Sequence, residues 1–151
     1  MRGRRKKSSR RSGASTLRKQ LRRHAFYLDQ CLGKGKIAAA LRKAGARVVL
    51  HHEHFPEDAP DSQWLRMAGR KRWIVLTKDK EIRRRQTERE ALIGAGVAAF
   101  VLTSPNLDGD EMAQALVRAL TRMVRFLQKQ PRPFVAAVHR DGSVTPLLLR
   151  R

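Results

Sequence analysis

Asp29, Asp61 and Asp79 are the residues of this chain best suited to chemistry. Asp29 closes the apolar run Phe26-Tyr27-Leu28, Asp61 opens the stretch holding Trp64, Leu65 and Ala68, and Asp79 stands in Thr77-Lys78-Asp79-Lys80 after a further apolar run. Carboxylates gathered at one point repel each other unless a cation neutralises them, and Mg²⁺ or Mn²⁺ with oxygen ligands is the usual solution. Such a site suits phosphodiester hydrolysis, because the ion lowers the pKa of water, orients a phosphate and stabilises the leaving oxygen. Asp61 and Asp79 also have an ordinary use as helix N-caps. Asp29 has none, since it ends an apolar strand and has no cap to make before Gly33.

Basic residues surround these acids. Lys34 and Lys36, at the expected N-terminus of a helix beside Asp29, could hold a substrate phosphate. Their Gly33-Lys34-Gly35-Lys36 setting lacks the spacing and the hydroxyl of a nucleotide-binding P-loop. Arg83, Arg84 and Arg85 follow Asp79 directly and read as nucleic-acid contacts, whereas Arg118, Arg122, Arg125 and Lys129 form a helical stripe read as a solvated face. His51-His52-Glu53-His54 would put His52 and His54 on one strand face. A transition-metal site there would need further ligands that the sequence does not supply, so contact with phosphate or solvation in a loop is the preferred reading. Aromatics make up only 5% of the chain, so phosphate contacts should outweigh base stacking.

The charge points the same way. Lys and Arg total 34 against 13 Asp and Glu, a formal +21 that must attract polyanions such as RNA, DNA or an acidic protein. Residues 1–23 hold 11 of the cations and no acid, and are expected to form a disordered basic arm. The part from His24 onward keeps 23 basic against 13 acidic residues, so residues 24–151 should fold as one domain that is still +10. No apolar run approaches the roughly 20 residues of a membrane span, and no signal peptide is read at the start. Cys31 is the only cysteine, which rules out a disulfide framework and suits the cytoplasm.

From Phe26 onward, short apolar runs alternate with helical stretches, the pattern of βαβ units and a mostly parallel sheet covered on both faces. Strands are expected at Phe26 to Leu28, Arg47 to Leu50, Trp73 to Leu76 and Val97 to Leu102. Helices are expected from about Lys34 to Ala44, from Asp61 to a stop at Gly69, from a Thr87…Glu90 capping box to Ile93, and from Asp108 to Gln130. Phe134 to His139 and Val144 to Leu149 should pair as a hairpin across Asp141-Gly142, with Pro146 marking an edge strand.

Taken in order, these residues resemble a family. Tyr27-Leu28-Asp29, Ala40-Leu41-Arg42 with Gly45 and Val48-Val49, Phe55-Pro56, Pro60-Asp61 with Trp64-Leu65, Trp73 through Lys80 followed by Ile82-Arg83-Arg84, then Ala95-Gly96-Val97 and Phe100-Val101-Leu102, are similar to the PIN-like domains related to VapC-type toxins. The resemblance runs from about Phe26 to Leu147. It implies a three-layer α/β/α sandwich with a mostly parallel central sheet and a divalent-metal endoribonuclease site on Asp29, Asp61 and Asp79. It also implies RNA as substrate and an antitoxin protein as partner. Family sites usually hold a fourth acid, for which Glu53 and Glu81 are the candidates, while Gln30 occupies a place where related proteins often have another acid. That departure keeps open a non-catalytic RNA- or DNA-binding module on the same fold. A phosphorylated receiver-like switch fits poorly, because it would want paired acids after the first strand and a Lys after the fifth, where this chain has Asp29-Gln30 and His139-Arg140.

Overall fold

The computed structural model describes residues 16–32 and 35–149, so Lys34 and most of the basic arm lie outside the described residues. Six strands form one sheet in the order β2-β1-β3-β4-β5-β6. They are β1 (Ala25–Leu28), β2 (Arg47–Leu50), β3 (Ile74–Thr77), β4 (Ala98–Leu102), β5 (Phe134–Val138) and β6 (Val144–Leu147). The first five run parallel and β6 returns antiparallel to β5, with Pro146 opposite Ala136 on the outer strand. An edge strand tolerates the missing amide of Pro146.

Every residue of β1, β3, β4 and β5 is buried, because alternate side chains enter cores on opposite faces. Phe26, Leu28, Ile74, Leu76, Phe100 and Phe134 point to the face covered by α2 (Lys36–Lys43) and α5 (Gly109–Lys129). Tyr27, Val75, Ala99, Val101 and Val135 point to the face covered by α3 (Asp61–Lys71) and α4 (Gln86–Ala95). The result is the expected three-layer α/β/α sandwich.

Three local expectations are corrected. Residues 16–23 are helical (α1) and belong to the fold, with Leu21 only 1% exposed and Leu17 packed against the same core. Four residues apart, these leucines share one helix face and bury it despite the cations between them. Gly69 does not end α3, which continues to a left-handed cap at Arg72. Gly69 lies instead where α3 meets α4, and a Cβ there would come within 2.4 Å of the Ala95 carbonyl oxygen. The Thr87…Glu90 capping box is not formed, because α4 starts one residue before Thr87 with Arg85 as its N-cap. A capping box does open α5, where Asp108 accepts from the Glu111 amide at 2.8 Å and Glu111 accepts from the Asp108 amide at 3.2 Å.

Candidate active site

The chain leaves β1 to add β2 on one side, then crosses to add β3 on the other. Between β1 and β3 the direction of winding reverses, and the crevice beyond the carboxyl ends of two such strands is where open α/β sheets collect ligands. Asp29 follows β1, and its amide donates to the Leu76 carbonyl at 3.0 Å, tying the residue to the neighbouring strand. Thr77, the last residue of β3 and only 1% exposed, donates its hydroxyl to Asp29 Oδ2 at 2.7 Å and accepts the Asp79 amide at 3.0 Å. One hydroxyl therefore couples two of the three aspartates. Cys31 completes this corner, with its Sγ 3.4 Å from Asp29 Oδ2 and 3.3 Å from Thr77 Oγ1. Burial first, and Asp29 second, push the thiol up to about 11, so it stays protonated near neutral pH.

The third aspartate joins through Arg85. Its guanidinium makes two 2.9 Å bonds to the oxygens of Asp79 and lies 3.8 Å from Asp61 Oδ2 and 3.5 Å from Glu88 Oε1. Hydrogen bonding to Asp79 is the first cause raising the pKa of Arg85. Neither Asp61 nor Asp79 acts as the helix N-cap that its sequence position suggested. The cap of α3 is Pro60, and Asp61 Oδ1 accepts instead from the indole N–H of Trp64 at 3.0 Å. Asp79 Oδ1 accepts from the Glu81 amide at 3.0 Å, shaping the turn ahead of α4.

Thr77 and Arg85 thus link the three aspartates at the switch point of the parallel sheet, and direct comparison decides the family. The profile of the family described as "PIN like domain" matches residues 25–104, a span that contains all three acids. The chain belongs to the PIN-like domain family, related to the VapC toxins. A relative named "Putative ribonuclease VapC45", from Mycobacterium tuberculosis (strain ATCC 25618 / H37Rv), is 30% identical over 129 residues, covering 81% of this chain and 91% of that protein. No solved structure matches the chain.

The other expected site residues of this PIN-like chain are dispersed. Glu53 uses Oε1 to accept the Leu50 amide at 2.9 Å, in a tight turn after β2, and makes no hydrogen bond to the three aspartates. Glu81 pairs with Arg84 at 3.7 Å, and Arg83 donates to the Leu148 carbonyl at 3.2 Å, so Arg85 alone of the three arginines turns to the acids. Lys36 opens α2 and lies 3.6 Å from Asp110 of α5. His51 is 4% exposed and structural, with Nδ1 against the Tyr27 hydroxyl and Nε2 at 2.9 Å from Gln30 Nε2. His52 and His54 fall on a turn, not a strand, and share no strand face. Asp29, Gln30, His51, His52 and Glu57 line a pocket of about 310 Å³ beside the acids.

Among the described residues, no three His, Cys, Asp or Glu side chains are grouped to hold one metal ion. The donor types present, carboxylate oxygens beside a threonine hydroxyl, are those a hard divalent cation takes. The Arg85 guanidinium is itself a stand-in cation, drawing Asp61, Asp79 and Glu88 toward one positive charge.

Proposed function

We propose that this protein is an endoribonuclease that hydrolyses RNA phosphodiester bonds with Mg²⁺ or Mn²⁺, acting as the toxin of a toxin–antitoxin pair. The observation that carries this reading is the chain of contacts that links Asp29 to Asp79 through Thr77 and Asp79 to Asp61 through Arg85, beside the carboxyl ends of β1 and β3. Asp29, Asp61 and Asp79 would hold the ion, which when bound neutralises phosphate charge and lowers the pKa of water. Thr77 holds Asp29 in place. Arg85, with the neighbouring Lys80, Arg83 and Arg84, supplies positive charge for the phosphates. The relative's name, a ribonuclease, supports RNA as substrate, and the family's relation to the VapC toxins supports a cognate antitoxin as partner.

The test is RNA cleavage by purified full-length protein. Cleavage should require Mn²⁺ or Mg²⁺, stop in EDTA, and fall by orders of magnitude in Asp29→Asn. Tight RNA binding without metal-dependent cleavage would instead identify a non-catalytic RNA-binding module. That second reading draws on one observation: both Asp79 oxygens are already engaged by Arg85.

A further inference from the structure

The opposite edge of the sheet, where the parallel strands begin, is basic. Arg22, Arg23 and His24 lead into β1, Arg47 starts β2, Lys71 and Arg72 precede β3, and Arg132 precedes β5. Residues 22–25, 43–47, 70–74, 94–98 and 129–134, which bracket these strand starts, contain no Asp or Glu. Part of this has an ordinary cause: Arg42, Lys43, Arg70, Lys71 and Lys129 sit in last helical turns, where cations complement the helix dipole.

Arg132 is different. It lies beyond α5, and its Nη1 is the one buried side-chain nitrogen or oxygen among the described residues without a hydrogen-bond partner. Burial first, and the Arg72 charge second, hold its pKa below the usual arginine value. The same charges act on His24, whose pKa is lowered by burial, then by Arg132, Arg23 and Arg72. An unsatisfied buried donor is destabilising, the more so when it carries charge. A native fold that keeps such a donor among like charges lacks an acceptor of opposite sign, and an oxyanion supplies both the acceptor and the charge.

We infer that this edge is a second polyanion site, in which Arg132, flanked by Arg72, Arg23 and His24, takes a backbone phosphate of RNA at the end of the sheet opposite Asp29 and Asp79. Naming RNA rests on the proposed ribonuclease function; the phosphate chemistry does not. Strands of four or five residues put the two edges about 15 Å apart, a distance that an RNA strand covers in a few nucleotides.

Two measurements on the full-length chain test this. The first is thermal melting in sodium chloride and in sodium phosphate at equal ionic strength. Phosphate should raise the Tm of the wild type by several degrees over chloride. Arg132→Gln should melt no lower than the wild type in chloride, because it removes an unsatisfied charge, and should lose most of the phosphate response. A purely structural Arg132 predicts the opposite, a lower Tm and an unchanged response. The second is RNA affinity in EDTA, where no cleavage chemistry intervenes. Arg132→Gln should weaken binding roughly tenfold and reduce the slope of log K against log salt by about 0.7, the loss of one phosphate contact. Loss of the phosphate response with RNA binding intact would overturn the assignment to RNA and leave a site for free phosphate. Wild-type and variant proteins that respond alike to phosphate would overturn the site altogether. Should Arg132→Gln fail to melt cooperatively, Arg72→Gln on the exposed rim gives the same two readouts. A protein that binds RNA through this edge but never cleaves it would refute the ribonuclease and leave the edge standing.

Discussion

Arg85 and Asp79 meet fork to fork, with Nη1 on Oδ2 and Nη2 on Oδ1, both at 2.9 Å. A divalent ion bound by Asp61 and Asp79 would draw on oxygens that this guanidinium already contacts. The two cations must therefore compete. Arg85→Gln is expected to tighten Mn²⁺ binding to RNA-free protein by roughly tenfold or more, a modest figure chosen because the side chain is 44% exposed and its ion pairs are screened. Arg85→Lys, which keeps charge but loses the fork, should fall between. Calorimetric titration of the three proteins decides it, and equal affinities would mean that Arg85 only ties the turn together.

Thr77 is the hinge between Asp29 and Asp79. Thr77→Val keeps the shape but removes the donor to Asp29 and the acceptor for the Asp79 amide. A hydrogen bond to a charged group contributes about 1.5–3 kcal/mol, so urea unfolding should show a loss of that order. Cleavage should fall with it, and Thr77→Ser should restore both. A valine variant as stable and active as the wild type would show that the hydroxyl does not position Asp29.

What could be read from the sequence is what backbone pattern controls. Buried parallel strands are short apolar runs, and an acid that ends such a run lies at the carboxyl edge, so Asp29 and Asp79 could be placed there without coordinates. The links between the acids were not legible, because they depend on side-chain direction. Arg83, Arg84 and Arg85 are identical in type, and only the turn closed by the Arg84 and Arg85 amides on the Glu81 carbonyl turns Arg85 toward Asp79. Thr77 stood just beyond the expected strand Trp73 to Leu76, with no role assigned to its hydroxyl. Helix α1 was hidden for another reason: four cations among eight residues outweighed the two leucines that dock it.

Docking of α1 changes how the basic arm should be tested. Truncation after Arg23 would strip Leu17 and Leu21 from the core, so a loss of binding would confound unfolding with lost charge. Removing residues 1–15 deletes seven Lys and Arg while sparing those leucines. Each phosphate neutralised on a single strand adds about 0.7 to the slope of log K against log salt, so this truncation should lower the slope by up to about 5 if every cation engages RNA. Affinity should weaken at low salt, and cleavage at saturating RNA should be unchanged because Asp29, Asp61 and Asp79 are untouched. RNA affinity measured across a salt series for both proteins decides the outcome. An unchanged slope would make the arm a spectator and transfer the electrostatic anchoring to the folded cations, with Arg83, Arg84 and Arg132 the first to be substituted.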